Sequence, residues 1–356
     1  MSPSIDVREH RSLTGFTVAG SFILGNDAMG DLKEKRILVT PTSFGKACPG
    51  LRKTLEDAVG EVIYNTTGRP LSAVELISLL HDIDGYIAGL DEINGSVIKA
   101  ANRLKVISRY GTGVDRVDLT EATRRGIVVT NTPGANAVAV AELTICLMLA
   151  LARNLCEANQ AIHQGRWPRY TGIGLRGKTI GLVGFGSIGK EVALRLKHFG
   201  CLLLATDPAI DFNTAQKIGV GIVSFKHLIS RSDMVSLHLP VTASTVKMIN
   251  HETLQQMKPG AFLINTARGE LVDEKALFEA LESNHLAGAA FDVFSKEPPD
   301  KNNLLLKNPK VICTPHMGAR TDDAMNQMGT IAMQDCLAVL RGERALNVVN
   351  PEVYSR

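Results

Sequence analysis

TIGLVGFGSIGK, residues 179 to 190, joins an apolar run to a helical pattern through three spaced glycines. Thr179 to Val183 is continuous, β-branched and apolar, as a strand buried on both faces should be. Gly184, Gly186 and Gly189 form a G-x-G-x-x-G turn, and Glu191 to Phe199 follows with Val192 and Leu196 four apart, the spacing of one helix face. The first glycine permits the tight turn and the second admits a pyrophosphate to the backbone. The third lets helix pack on strand, with the helix N-terminus aimed at the phosphates. A second strand, Cys201 to Thr206, ends at Asp207, about twenty residues on, where a carboxylate takes the adenosine ribose hydroxyls. Gly184 to Lys190 also fits G-x-x-x-x-G-K, but Glu191 stands where a nucleoside-triphosphate loop needs Ser or Thr for Mg²⁺. That reading fails. A glycine turn without a ligand remains, and it leaves the acid after the second strand unexplained.

Around this turn the chain runs to 356 residues, enough for two domains, with 45% hydrophobic and 21% charged residues. A formal charge of +3, scattered along the chain, gives no basic face for nucleic acid or a membrane surface. The six cysteines (Cys48, Cys146, Cys156, Cys201, Cys313, Cys336) are spread without a C-x-x-C pair, so structural thiols in a reducing cytoplasm are expected, with no disulfide framework and no metal. The longest apolar run, Ala137 to Ala152, contains Glu142 and reads as a buried helix. Arg8 and Arg11 before a mildly apolar Leu13 to Gly25 faintly resemble a signal peptide. A disordered leader over residues 1–33, or a true start at Met29, is the expectation instead.

From Arg36 strands and helices alternate. Strands are expected at Arg36 to Thr40, Glu61 to Tyr64, Gly85 to Ala88, Lys105 to Ser108 and Ile127 to Thr130. One long helix, Ala137 to Leu155, should lead to the fingerprint strand. Later strands fall at Met234 to Leu239, Ala261 to Asn265, Ala287 to Val293 and Val311 to Thr314, before a final helix from Thr321 to Leu340. Such alternation implies α/β architecture with two doubly wound parallel sheets. Thr132-Pro133-Gly134 and Thr314-Pro315-His316 serve as crossings, so the first domain is discontinuous: residues 34–132 with 315–350, around a nucleotide domain of residues 133–314. Ligands then bind in the cleft beyond the strands' carboxyl ends.

Three residues past strand ends face that cleft: Arg268 in NTARGE, Glu297 in DVFSKEPP and His316 in CTPHMGA. A His backed by a carboxylate is a general acid/base, and a fixed Arg forks onto a carboxylate or polarises a carbonyl. Singly, each reads as well as an Arg at a helix end, a Glu before a proline turn or a His satisfied in a loop. Their gathering on one rim carries the reading.

At these residues the sequence resembles the D-isomer-specific 2-hydroxyacid dehydrogenases, in particular their phosphoglycerate dehydrogenase branch. The likeness runs from about Arg36 to Asn350 on SRYGTGVDRVDL, NTPGANAVAVAEL, LVGFGSIGKEVA, HLPVTASTVKMIN, NTARGELVDE, AAFDVFSKEPP and TPHMGA. The resemblance implies NAD as cofactor and Arg268, Glu297 and His316 as the catalytic set. It also implies cofactor contacts at Thr112, Gly184, Gly186, Ser187, Ile188, Gly189, Asp207, Leu239, Pro240, Thr266, Ala267, Arg268, Asp292, His316 and Gly318. Arg109, Thr112, Gly113 and Asn136 match positions on the substrate side, and the Gly89 and Leu90 amides are expected to complete a carboxylate cradle.

Two departures bear on substrate. Where phosphoglycerate dehydrogenases carry an Arg-Ser pair after the third strand, this chain has Gly89-Leu90, so the usual phosphate-binding Arg is missing. The sequence also ends at Arg356, which leads us to expect none of the regulatory domain that many of these enzymes append. Trp167-Pro168-Arg169 resembles a segment that reaches a neighbouring subunit's site, so a homodimer is expected, with Arg169 as a replacement cation. Three functions stay open: a dehydrogenase of a phosphorylated or otherwise anionic 2-hydroxy acid, a reductase of small 2-keto acids such as glyoxylate or hydroxypyruvate, and a NAD-sensing binding protein like the family's transcriptional co-repressors.

Overall fold

Apolar runs bounded by turns become two parallel sheets. The computed structural model describes residues 29–355, and the leader expected at 1–28 lies outside the described residues. Residues 29–33, assigned above to that leader, belong to the fold: Met29–Glu34 is a short 3-10 helix whose Leu32 is 1% exposed in the core beside Ile37 and Leu55.

The first sheet contains β1 (Arg36–Val39), β2 (Glu61–Tyr64), β3 (Gly85–Ala88), β4 (Val106–Arg109) and β5 (Val128–Thr130) in the order β2-β1-β3-β4-β5. The second contains β6 (Thr179–Val183), β7 (Leu202–Thr206), β8 (Val220–Ile222), β9 (Met234–Leu237), β10 (Ala261–Asn265), β11 (Leu286–Phe291) and β12 (Val311–Cys313), in the order β12-β11-β10-β9-β6-β7-β8. Every pairing in both is parallel. Central strands β3, β4 and β9 are buried at every position, because helices cover both faces. Strand order reverses between β1 and β3 and again between β6 and β9, and such reversals open crevices at the carboxyl ends.

Three local features differ from the sequence reading. The fingerprint helix is Ser187–Leu196, starting inside the glycine turn, so Gly189 sits in its first turns against the strand. The helix expected from Ala137 to Leu155 is two helices, Ala137–Ala152 and Leu155–His163, bent by 64°. Asn154 takes a left-handed conformation there (φ 52°), which Asn tolerates better than most residues. Helix Phe212–Ile218 and the three-residue edge strand β8 were not anticipated, since Val220-Gly221-Ile222 is too short to show a period. All six thiols are free; Cys336 is buried, Cys48 and Cys201 are half-buried, and Cys146, Cys156 and Cys313 are exposed. Among the described residues no single helix is long and apolar enough to cross a membrane.

The final helix, Asp322–Leu340, is capped by Thr321, whose hydroxyl accepts from Ala324 N, and packs on β3, β4 and β5. A side chain at Gly85 would put Cβ 2.8 Å from Cys336 Sγ, so the close approach of helix to sheet needs glycine there. Ser108 Oγ, in β4, donates to Ala332 O at 2.8 Å. Beyond the helix the chain runs back along β5: Val349 N donates to Val129 O, and Asn350 Oδ1 accepts from Val129 N at 2.8 Å. Asn350 Nδ2 donates to Ile127 O and Thr123 Oγ1, at 3.0 and 2.9 Å. Asn350→Ala therefore strands a buried N–H and a buried carbonyl. The expected loss is about 2 kcal/mol or more, read as a lower urea midpoint at constant slope.

Candidate active site

On the second sheet the glycine turn has the shape a dinucleotide needs. Gly184 holds φ +98°, and a Cβ there would lie 2.2 Å from His238 O. At Gly189 a Cβ would lie 2.3 Å from Gly184 O, whereas at Gly186 it would meet nothing within 4 Å. Two glycines thus bring helix, strand and β9 together, and the middle one keeps the outer side of the turn bare for a pyrophosphate, next to the amides of Ser187 and Ile188. Asp207, past β7, accepts from Phe185 N (2.7 Å) and Ala209 N (2.8 Å), which fixes the turn and leaves oxygen lone pairs for a ribose.

His238, past β9, is the residue that the sequence reading missed on this side. It is partly exposed as a residue, but both ring nitrogens are inaccessible and without a hydrogen-bond partner. Burial pushes its imidazolium down to about 3, so the ring is neutral. Unsatisfied buried nitrogens beside the glycine turn suit a site completed by a polar ligand. Leu239 and Pro240 continue from it along the same edge. Together these features fit NAD.

The catalytic candidates follow β10, β11 and β12. Arg268 stands past β10, and Gly113 of the first sheet makes room for it: a Cβ at Gly113 would lie 1.8 Å from Arg268 Nη2. Thr266 packs its hydroxyl against Thr144 (2.9 Å), and Ala267 N donates to Asn265 Oδ1. Past β11, Asp292 is 1% exposed and accepts from Thr314 Oγ1 (2.5 Å), Met317 N (2.9 Å) and Gly318 N (2.8 Å). Those bonds fold the turn that carries His316, whose φ of 49° is left-handed and whose N–H donates to Asp292 O. His316 Nδ1 lies 2.8 Å from Glu297 Oε2. Burial pushes Glu297 up, but the His316 hydrogen bond and charge, Phe294 N–H and the Arg116 charge outweigh it and hold the carboxyl below its usual range.

Substrate-side candidates divide into two groups. Arg109 is 4% exposed at the end of β4 and donates to Ala88 O (2.7 Å) and Gly113 O (3.1 Å). Burial lowers its pKa, yet a guanidinium stays charged. Leu90 and Arg109 line the same small cavity, about 20 Å³, as Arg268, Glu297 and His316. Gly89 does not offer its amide to that cavity, contrary to expectation. Its N–H donates to Thr40 Oγ1 (2.9 Å) and Asp91 Oδ2 (3.1 Å) in a buried network that also includes Tyr86. Thr112 Oγ1 and Asn136 Oδ1 bond to one another at 3.2 Å near the crossing. Arg169 is exposed and is not part of this chain's cavity lining.

A family model for the D-isomer specific 2-hydroxyacid dehydrogenase NAD-binding domain matches residues 145–318. D-3-phosphoglycerate dehydrogenase of Methanocaldococcus jannaschii is 44% identical over 302 residues, 84% of this chain and 57% of that one. A glyoxylate reductase of Thermofilum pendens is 41% identical over 86% of this chain and 92% of its own. The crystal structure of TT0316 protein from Thermus thermophilus superposes with a TM-score of 0.79 at 38% identity, covering 88% of this chain and 99% of that one. The chain belongs to the D-isomer-specific 2-hydroxyacid dehydrogenases. Within that family it falls in the phosphoglycerate dehydrogenase-like branch, although it spans only about half the length of the phosphoglycerate dehydrogenases it matches first.

For a 2-hydroxyacid dehydrogenase of this kind two charged residues, Asp115 and Arg116, are unexpected members of the site. Asp115 accepts from Arg268 Nε (3.1 Å) and Nη2 (2.9 Å), and Arg116 Nη2 lies 3.7 Å from Glu297 Oε2. Both sit in the quoted GVDRVD segment, but only the tertiary structure gives them partners. Cofactor choice follows from Asp207, because its carboxylate repels a 2′-phosphate and Pro208-Ala209 supplies no cation. NAD is expected to exceed NADP in kcat/KM by about tenfold or more, the ratio that about 1.4 kcal/mol of repulsion produces. Asp207→Ala should narrow the gap.

Proposed function

We propose that the protein is a NAD-dependent D-2-hydroxyacid dehydrogenase, with residues 133–314 as its NAD-binding domain and residues 34–132 with 315–350 as its substrate-binding domain. The reading rests on the 2.8 Å His316–Glu297 contact in one cavity with Arg268, beside a glycine turn that fits NAD. When bound, the nicotinamide accepts or supplies the hydride. Glu297, held ionised, favours the tautomer with its proton on Nδ1 and leaves His316 Nε2 as the nitrogen that exchanges a proton with the substrate oxygen. As that oxygen releases its proton the imidazolium forms against Glu297, and in reduction it returns the proton. Arg268 commits Nε and one Nη2 N–H to Asp115 and one Nη1 N–H to Ala267 O. Two of its five donors are left for the substrate carboxylate and the developing oxyanion.

Charge balance favours a small monoanionic 2-keto acid as the better substrate. Arg109, Arg116 and Arg268 face Asp115, Glu270 and Glu297 around the cavity, so the lining is neutral while His316 is neutral. One substrate carboxylate matches the one charge gained by the imidazolium. A phosphate adds about −1.5 to −2, with no further cation among the described residues that line the cavity to meet it. Similarity to a glyoxylate reductase over 92% of that protein points the same way. The phosphoglycerate-like alternative requires Arg169 from a second copy. A homodimer has surface to build on, since Trp167, Leu155, Ile162 and Val138 are 78%, 58%, 51% and 46% exposed along the bent helix pair and the segment after it.

His316→Ala should abolish NADH oxidation across a panel of 2-keto acids while NADH still binds, as read by its fluorescence. Turnover near the parental rate would remove His316 from the role of base, and no turnover by the parental protein would leave the NAD-sensing alternative. Arg169→Ala should leave glyoxylate kinetics unchanged, and should raise KM about ten- to a hundredfold for a phosphorylated substrate if one is used. Light scattering should give twice the chain mass. A monomer would rule out the cross-subunit cation.

A further inference from the structure

We propose that Asp115 and Arg116 form a clasp across the cleft, two positioning residues of opposite charge that hold Arg268 and Glu297 and set the proton affinity of the base between them. The proposal rests on the dehydrogenase reading only for its catalytic consequence, not for its geometry.

The two residues are adjacent on the loop between β4 and helix Leu119–Arg124, and each meets an opposite charge from the second sheet. Asp115 grips the Nε–Nη2 edge of Arg268. The Arg116 guanidinium stands 3.7 Å from Glu297 Oε2, the oxygen that also takes His316 Nδ1, and 3.5 Å from Leu90 O. Four groups therefore alternate in sign about the imidazole: Asp115, Arg268, Glu297 and Arg116. The loop is built to present them. Ile93 N donates to Arg116 O (2.8 Å), Asp118 N to Ile93 O (2.9 Å) and Arg109 Nε to Gly113 O (3.1 Å), while Gly113 leaves the space into which Arg268 reaches. Burial pushes Asp115 up, but the hydrogen bonds and charge of Arg268 overcome it, so this carboxyl is ionised.

Since both pairs join residues of different sheets, parting the cleft breaks both. The cavity they enclose, about 20 Å³, has room for about one water, so a 2-keto acid enters only when the clasp loosens or Asp115 yields. Closure then returns a cation to Glu297 and an anion to Arg268. The charged groups facing His316 are Arg109, Asp115 and Arg116 from the first sheet, Arg268 and Glu270 past β10, and Asp292 and Glu297 past β11. Within this set, removing the Arg116 cation favours the imidazolium, and removing the Asp115 anion disfavours it.

The test compares Arg116→Gln, Asp115→Asn and the double variant by two readouts. NMR follows the ring-proton titration of His316 in the protein without substrate, assigned by its loss in His316→Gln. Steady-state kinetics follow the rise of kcat/KM with pH for hydroxy-acid oxidation. In both, the curve should move to higher pH in Arg116→Gln and to lower pH in Asp115→Asn, by about half a unit or more, with the double variant between them. Arg116→Lys should restore the parental curve, because it keeps the charge. Asp115→Asn should also lower kcat about tenfold or more with NADH affinity unchanged. Movement of both curves in one direction, or of neither, would overturn the clasp. If Asp115→Asn fails to fold, Arg116→Gln against Arg116→Lys decides alone. Opposite NMR shifts in a protein inactive on every hydroxy acid would uphold the clasp and sink the dehydrogenase reading.

Discussion

Parallel pairing delivers every strand's carboxyl end to one edge, and both sheets turn that edge toward a shared cleft. The charged residues of the site depend on this constraint. Arg109 ends β4, and Arg268, Glu297 and His316 follow β10, β11 and β12, which are consecutive neighbours in the second sheet. Strands lie about 4.8 Å apart, so three successive strand ends set an arginine, a carboxylate and an imidazole within reach of one small molecule. No loop has to be long. The reversal between β6 and β9 separates Gly184 from His238 in sequence and joins them in space, which makes the bare side of the glycine turn.

Charge burial at that edge is tolerated because each group is given partners. Asp91, 1% exposed, accepts from Leu71 N, Tyr86 OH, Gly89 N and the Thr40 hydroxyl, and thereby fixes the loop that carries Leu90. Arg109 spends donors on two carbonyls and sits near the Asp91 and Asp115 charges. Unpaired, either would cost several kcal/mol (about 3–5 by analogy with broken buried pairs). The same economy explains why Gly89's amide is taken by Asp91 and Thr40: the first switch point uses its backbone to stabilise itself, and the cleft is lined instead by side chains.

The sheets were legible because continuous apolar runs at regular spacing leave little choice of architecture, and the glycine turn because its flanking strand, helix and acid agree. Arg268, Glu297 and His316 were legible as polar residues just past apolar strands. Asp115 and Arg116 were not. Their sequence neighbours give a turn before a helix, and their partners lie 153 and 181 positions away on another sheet. His238 hid in an apolar strand end, where nothing local marks its nitrogens as unsatisfied. The break at Asn154 was missed because the apolar pattern runs through it, and only the left-handed backbone of one residue turns the chain.

His316 occupies the crossing by which the chain leaves the second sheet for the final helix, so it could in principle follow either side when the cleft opens. The hydrogen bonds decide. Asp292 holds Thr314, Met317 and Gly318 with its carboxylate and the His316 amide with its carbonyl, and Glu297 holds the ring. All of these groups belong to the carboxyl end of β11 or to the turn itself. Base, carboxylate and turn therefore stay together on the second sheet, which moves the crossing expected between residues 314 and 315 to just after Gly318. What the first sheet brings on closure is the Asp115-Arg116 pair and the buried Arg109. Under the proposed function, proton affinity and carboxylate binding are completed by the sheet that does not carry the glycine turn, which would tie the chemistry to the presence of substrate between the two.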